Sequence, residues 1–187
     1  MASTAEVIPD TEKEYEIVAG QPEEKEMGGA RHSRVGVRLI ARLETHVEAN
    51  QLGAVYGPDA TFRIGENERM PDVAFISASR IPEEGDPEGP WPIPPDLAVE
   101  IISPNDIYEK VISKVEEYLI AGVREVWLIS PRNRTVSIYR SPIQIIVLQE
   151  DDEIDGGDVV PGFRCRVGEL FQGPVSQAHS SPRSLRK

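Results

Sequence analysis

The sequence predicts an α/β (α+β) fold, a mixed β-sheet flanked by helices, and three observations predict it. Leu97-Ala98-Val99-Glu100-Ile101-Ile102 is a near-continuous apolar run, as a strand covered on both faces would be. Residues 108–121 follow with Val111, Val115, Tyr118 and Leu119 at helical spacing, and residues 125–129 form a second apolar run. Strand, helix and strand in that order mark a crossover between parallel strands, whereas 135–140 and 143–149 read as antiparallel strands closing the sheet.

The remaining elements follow in chain order. Residues 1–13 are polar and expected to be flexible. Tyr15-Glu16-Ile17-Val18 alternates as a strand, Gly20 marks a turn, and Glu23–Met27 returns as the second strand of a hairpin. Gly28 and Gly29 break the chain. Residues 32–50 read as a helix, with Val35, Leu39, Leu43 and Val47 on one stripe and Arg34, Arg38 and Arg42 off it. Asn50 and Gly53 end it. Residues 54–64 read as two short strands around the Gly57-Pro58 turn, and 73–76 as an apolar strand. The loop from Pro82 to Pro95 is long, as a functional lip or a mobile insertion would be. Gly122 is a natural end for the second helix. Residues 151–158 read as an acidic connection, and the composition turns polar after Phe171. A single domain over 14–171, followed by a disordered tail over 172–187, is the expectation.

Composition narrows the function classes. The chain has 187 residues, enough for one domain with a real core. No run approaches the roughly eighteen apolar residues of a membrane span. The start is acidic and lacks a signal-peptide pattern, so a cytoplasmic location is the default expectation. The single cysteine, Cys165, excludes an internal disulfide and any Cys-cluster metal site. The net charge of −12 argues against a passive nucleic-acid coat, because phosphate binding needs Lys and Arg. It leaves open an enzyme that meets phosphate through a local cation and a metal ion.

Glu100 is the most informative residue. A carboxylate inside a buried apolar strand is costly unless it is paired or bound to a metal. The plainer reading is a strand-end glutamate that reaches solvent. Asp72, directly after Pro71, opens the preceding strand. Two acids on neighbouring strands facing one cleft supply the oxygen pair that a hard divalent cation prefers. A turn or cap residue is the commoner fate of a Pro-Asp pair. Lys114, in the middle of the following helix, supplies a cation that positions water or offsets charge on phosphate. Its plainer reading is a solvated helix lysine paired with Glu117. His32, His46 and His179 lack a paired metal spacing, although His32 sits at a helix start where it could touch a ligand. Ser103 lacks a nucleophile elbow, and neither a phosphate-binding loop nor a dinucleotide fingerprint is present. Trp127 reads as core.

The motifs together resemble a known family. Pro71-Asp72-Val73-Ala74-Phe75-Ile76, the block from Pro95 to Asp106, Lys114, Glu117-Tyr118, Ala121-Gly122-Val123 and Val126-Trp127-Leu128 resemble the Uma2 family. These are bacterial proteins grouped as restriction-type endonucleases within the PD-(D/E)XK nuclease superfamily. The opening hairpin and Val159-Val160-Pro161-Gly162-Phe163 extend the resemblance over roughly residues 14–171. It implies a restriction-endonuclease-like fold and a metal-dependent phosphodiesterase. Asp72 matches the superfamily's first acid and Glu100 its second. The usual lysine two residues after the glutamate would fall at Ile102, so the family's helix lysine, here Lys114, takes that part. Lys110 stands where many members carry an acid. The backbone carbonyl of Ile101 is implied as a further metal ligand, and Glu24 as an additional acid. The implied cofactor is Mg²⁺ or Mn²⁺ and the implied substrate is DNA, with no membrane partner; a homodimer would supply two cuts. A nuclease fold retained as an interaction or regulatory module is the competing expectation, favoured by the acidic charge and Lys110. An inverting glycosidase is a third.

Overall fold

The computed structural model describes residues 14–25 and 28–173. The expected flexible start, His179 and nearly all of the expected tail lie outside them, as do residues 26 and 27 of the second predicted strand.

A central six-stranded sheet carries the fold. Its strands are β3 (Gly53–Tyr56), β6 (Val73–Ser77), β7 (Leu97–Ile101), β8 (Glu125–Ser130), β9 (Thr135–Ser141) and β10 (Gln144–Leu148), in spatial order β10-β9-β8-β7-β6-β3. Only β7 and β8 are parallel, with Ile101 opposite Ile129. Helix α2 (Tyr108–Ile120) joins them, so the predicted crossover is present. Gly122 follows it at φ +100°, a left-handed position that glycine adopts without strain.

Helix α1 (Ala30–Ala49) lies on one face. Its stripe of Val35, Leu39, Leu43 and Val47 is buried against Val73, Phe75, Leu97, Val99 and Ile101. Those sheet residues are odd-numbered because alternate side chains leave opposite faces of a strand. The even-numbered Ala74, Ile76 and Ala98 meet Val115 and Tyr118 of α2 on the other face. Alternation therefore sends Glu100 to the α2 side.

A second sheet borders α2. It comprises β1 (Tyr15–Val18), β2 (Gln21–Glu24), β4 (Phe62–Ile64) and β5 (Asn67–Arg69), ordered β2-β1-β5-β4. Here the sequence misleads. The run 54–64 does hold two strands, but β3 pairs with β6 while β4 pairs with β5, so they belong to different sheets. Strand β5 is polar throughout and three residues long, too short to show periodicity. The acidic stretch 151–158 likewise contains a strand, β11 (Glu153–Asp155), paired with β12 (Arg164–Arg166) ahead of the short α3 (Val167–Leu170). The long proline-rich loop is pinned: Trp91 is buried and exchanges backbone hydrogen bonds with Thr61 and Arg63. No helix among the described residues is long and apolar enough to cross a membrane.

Candidate active site

Glu100 points from β7 toward α2, into a network of ionised groups. Its Oε1 accepts a hydrogen bond from the Tyr118 hydroxyl at 2.7 Å, and Lys114 Nζ lies 3.1 Å from Oε1 and 3.2 Å from Oε2. Lys114 also donates to Glu16 Oε1 at 2.8 Å. The three side chains Glu16, Glu100 and Lys114 are 9, 15 and 17% exposed, so water screens these contacts little. Lys114 and Tyr118 are four residues apart on α2, which puts both on the face that meets Glu100.

The solvated-lysine reading of Lys114 is not what the structure shows. Its helix neighbour Glu117 is taken by Arg69, whose Nε lies 3.1 and 3.2 Å from the two carboxylate oxygens, and by Asn67 at 2.7 Å. Arg69 also reaches Glu16 Oε2 at 3.0 Å, and the Met70 amide donates to Glu16 Oε1 at 2.8 Å. The small sheet thus presents β1 and β5 to α2 through Glu16 and Arg69.

Asp72 sits just before β6, where the β6–β7 ladder has not begun. The ladder's last pair is Val73 with Val99. Asp72 continues it with its side chain, as Oδ2 accepts the Ile101 N–H at 2.7 Å. Oδ2 is also 3.1 Å from Nε2 of His32, in the first turn of α1. The other oxygen, Oδ1, has no partner among the described residues.

The titration of these groups reflects the geometry. Burial pushes the Glu100 carboxyl up; Lys114 opposes the shift, and the charges of Asp72 and Glu16 add to it, leaving Glu100 above its ordinary value. Burial also acts to raise Glu16, but Lys114, the Met70 amide and Arg69 outweigh it and hold Glu16 low. Asp72 is held low against its own burial by His32 and the Ile101 amide. The hydrogen bond that His32 donates to Asp72 raises His32 in return, against the effect of burial. Four carboxylates (Glu16, Asp72, Glu100 and Glu117) therefore share Lys114, Arg69 and a titratable histidine.

Of the residues singled out in the sequence, Glu100 and Lys114 are in direct contact. Asp72 is near enough for its charge to act on Glu100, and His32 contacts Asp72. Glu24 lies exposed at the end of β2, opposite Tyr15. Lys110 is exposed on α2, one turn before Lys114, and Ile102 donates its amide to the Ile129 carbonyl. His46 bonds the Pro161 carbonyl, away from this site, and Cys165 is buried in the core. Sequence reasoning missed Glu16, Arg69 and Tyr118 as members of the network. Glu16 is the buried residue of β1, because Arg69 and Lys114 are there to receive it.

A divalent cation fits the donors in kind. Asp72 and Glu100 offer hard oxygens, Oδ1 of Asp72 keeps its lone pairs open, and the carboxylates outnumber the fixed cations. No group of three or more His, Cys, Asp or Glu residues arranged to hold a metal ion occurs among the described residues. Magnesium commonly takes one or two protein carboxylates and fills its shell with water and phosphate, so the smaller set suits it.

Comparison with known proteins followed the same line. The family described as "Uma2: Putative restriction endonuclease" matches residues 4–168. A crystal structure of "a putative nuclease belonging to DUF820" from Anabaena variabilis superposes with a TM-score of 0.78 at 25% identity, over 88% of this chain and 93% of that one. Among curated proteins nothing matches.

Proposed function

The chain belongs to the Uma2 family of restriction-endonuclease-like proteins, and from that membership and the site's charge balance we propose a metal-dependent endonuclease that hydrolyses DNA. The observation that carries the reading is the excess of carboxylate over cation around Glu100, in a setting where burial keeps each charge strong.

In this reading Asp72 and Glu100 hold Mg²⁺ or Mn²⁺. Within a strand the N–H and C=O of one residue point to the same side, so the Ile101 carbonyl faces the edge where its amide meets Asp72 and would serve as a further ligand. When bound, the ion lowers the pKa of a coordinated water and polarises a phosphoryl oxygen. The protein's own groups do the rest. Tyr118 fixes the rotamer of Glu100, and His32 fixes Asp72. Lys114 exchanges its contact with Glu100 for one with the attacking water or the phosphate, and it offsets charge that builds in the transition state. Glu16 keeps that ammonium charged and aimed.

Supercoiled plasmid incubated with Mg²⁺ or Mn²⁺ tests the proposal. Wild type nicks it, and Glu100→Ala loses on the order of a hundredfold or more of the rate. Equal nicking by both proteins would eliminate the mechanism.

One observation favours the non-catalytic reading: both Glu100 oxygens already have protein partners. There the network is a structural lock, and a folded wild type that leaves plasmid intact with either ion is its signature.

A further inference from the structure

A cleft of about 430 Å³ lies between α1 and the β8–β9 turn, and the carboxylate network does not use it. Arg31 and Arg34 of α1, Arg132 and Arg134 of the turn, Pro131 and Phe171 line it. Four arginines around one cleft stand out in a chain with 20 basic and 32 acidic residues. Arg31, Arg34 and Arg132 are exposed and make no hydrogen bond or ion pair among the described residues. Arg134 differs. Glu150 pairs with it, the Phe171 carbonyl accepts from it, and its guanidinium lies 5.4 Å from the Phe171 ring centroid. Its backbone φ is +57°, a left-handed conformation usually left to Gly or Asn. With Glu150 offsetting Arg134, three uncompensated guanidinium charges face the cleft.

The cleft and the site both draw on the start of α1. His32, which touches Asp72, is flanked by Arg31 and Arg34 within one helical turn. Pro131 lies two residues beyond Ile129, the β8 partner of Ile101, and neighbouring strands are only about 4.8 Å apart. Helix α1 begins without a side-chain cap and without an acid in its first turn, so its end adds to the same positive field. An arginine fork matches phosphate oxygens better than any neutral or cationic ligand.

We propose that this arginine cleft is the track for the DNA backbone, holding the phosphates next to the one being cut. The inference rests on the nuclease reading, and it resolves how a chain of net charge −12 binds a polyanion: the repulsion is spread over the surface and the attraction is local.

Fluorescence anisotropy with a short labelled DNA duplex in EDTA, over a series of salt concentrations, tests it without catalysis. Wild type binds the duplex. The triple variant Arg31→Ala, Arg34→Ala, Arg132→Ala removes only exposed side chains and binds at least roughly tenfold more weakly. The slope of log affinity against log salt flattens by about 0.9 for each phosphate that is no longer neutralised. A control triple, Arg63→Ala, Arg124→Ala, Arg166→Ala, makes the same charge change at exposed positions elsewhere and leaves the slope alone. Equal weakening by both triples, or none by the first, overturns the track, as does tighter binding of an RNA duplex. If the cleft triple still binds and cuts like wild type, this inference fails by itself. If wild type neither binds nor nicks DNA, the nuclease reading falls with it.

Discussion

Glu100 on β7 and Glu125 on β8 are both glutamates set into the central sheet, one on each face, and their company differs. Glu125, 4% exposed, accepts from Trp127 Nε1 at 2.9 Å and from Arg140 Nε at 2.7 Å, so one acid has one cation and each oxygen a donor. Glu100 shares its single lysine with Glu16 and feels Asp72 as well. Burying an acid is thus compatible with a closed structural pair. What marks the β7 position is the uncompensated charge around it.

The largest test of that contrast is to remove the cation from each. Lys114→Met strands two carboxylates in a poorly hydrated space, and a loss on the order of 3–5 kcal/mol in urea unfolding is expected. Arg140→Met strands one, beside a cation already 36% exposed, and water repairs more of the damage. A loss of about 1–3 kcal/mol is expected there. Equal losses would erase the distinction between the two environments.

Metal ions break the comparison a second way. An ion that binds only the folded chain adds about 1.4 kcal/mol of stability at tenfold its dissociation constant. Millimolar Mg²⁺ or Mn²⁺ should therefore raise the melting temperature of wild type and of Glu125→Gln, but not of Asp72→Asn. A shift that survives Asp72→Asn, or vanishes in Glu125→Gln, puts the ion elsewhere.

These two glutamates also show what the sequence made legible. Both stand in apolar runs, and no spacing rule separates Leu-Ala-Val-Glu-Ile from Glu-Val-Trp-Leu-Ile. The helix stripe of α1, the parallel pair and its crossover were readable because long periodic segments report the face they bury. The β4–β5 hairpin and the β11–β12 ribbon were not, since strands of three residues carry no period. Glu16, Arg69 and Tyr118 escaped for another reason. The roles of Glu16 and Arg69 arise from partners roughly fifty to a hundred positions away, and that of Tyr118 from a glutamate 18 positions earlier on a different element. The arginine cleft, likewise, is assembled from the start of α1 and a turn a hundred residues later.

The smallest effect comes from inside the cluster, where two acids on one lysine titrate in opposite directions. Glu16 is held below its ordinary value of 4.5, so its charge stabilises the fold above that pH, and the contribution is lost as pH falls through the lowered value. Glu100 is raised, so its contribution is present while it is protonated and is lost as pH rises through the raised value. Glu16→Gln should accordingly be less stable than wild type near neutrality, and the gap should close on acidification below 4.5, by no more than about 1.4 kcal/mol for each pH unit. Chemical denaturation across that range, in EDTA, measures it. A gap of constant size at every pH would mean that Glu16 contributes by shape alone and that the carboxylate excess at β7 is smaller than the ion pairs indicate.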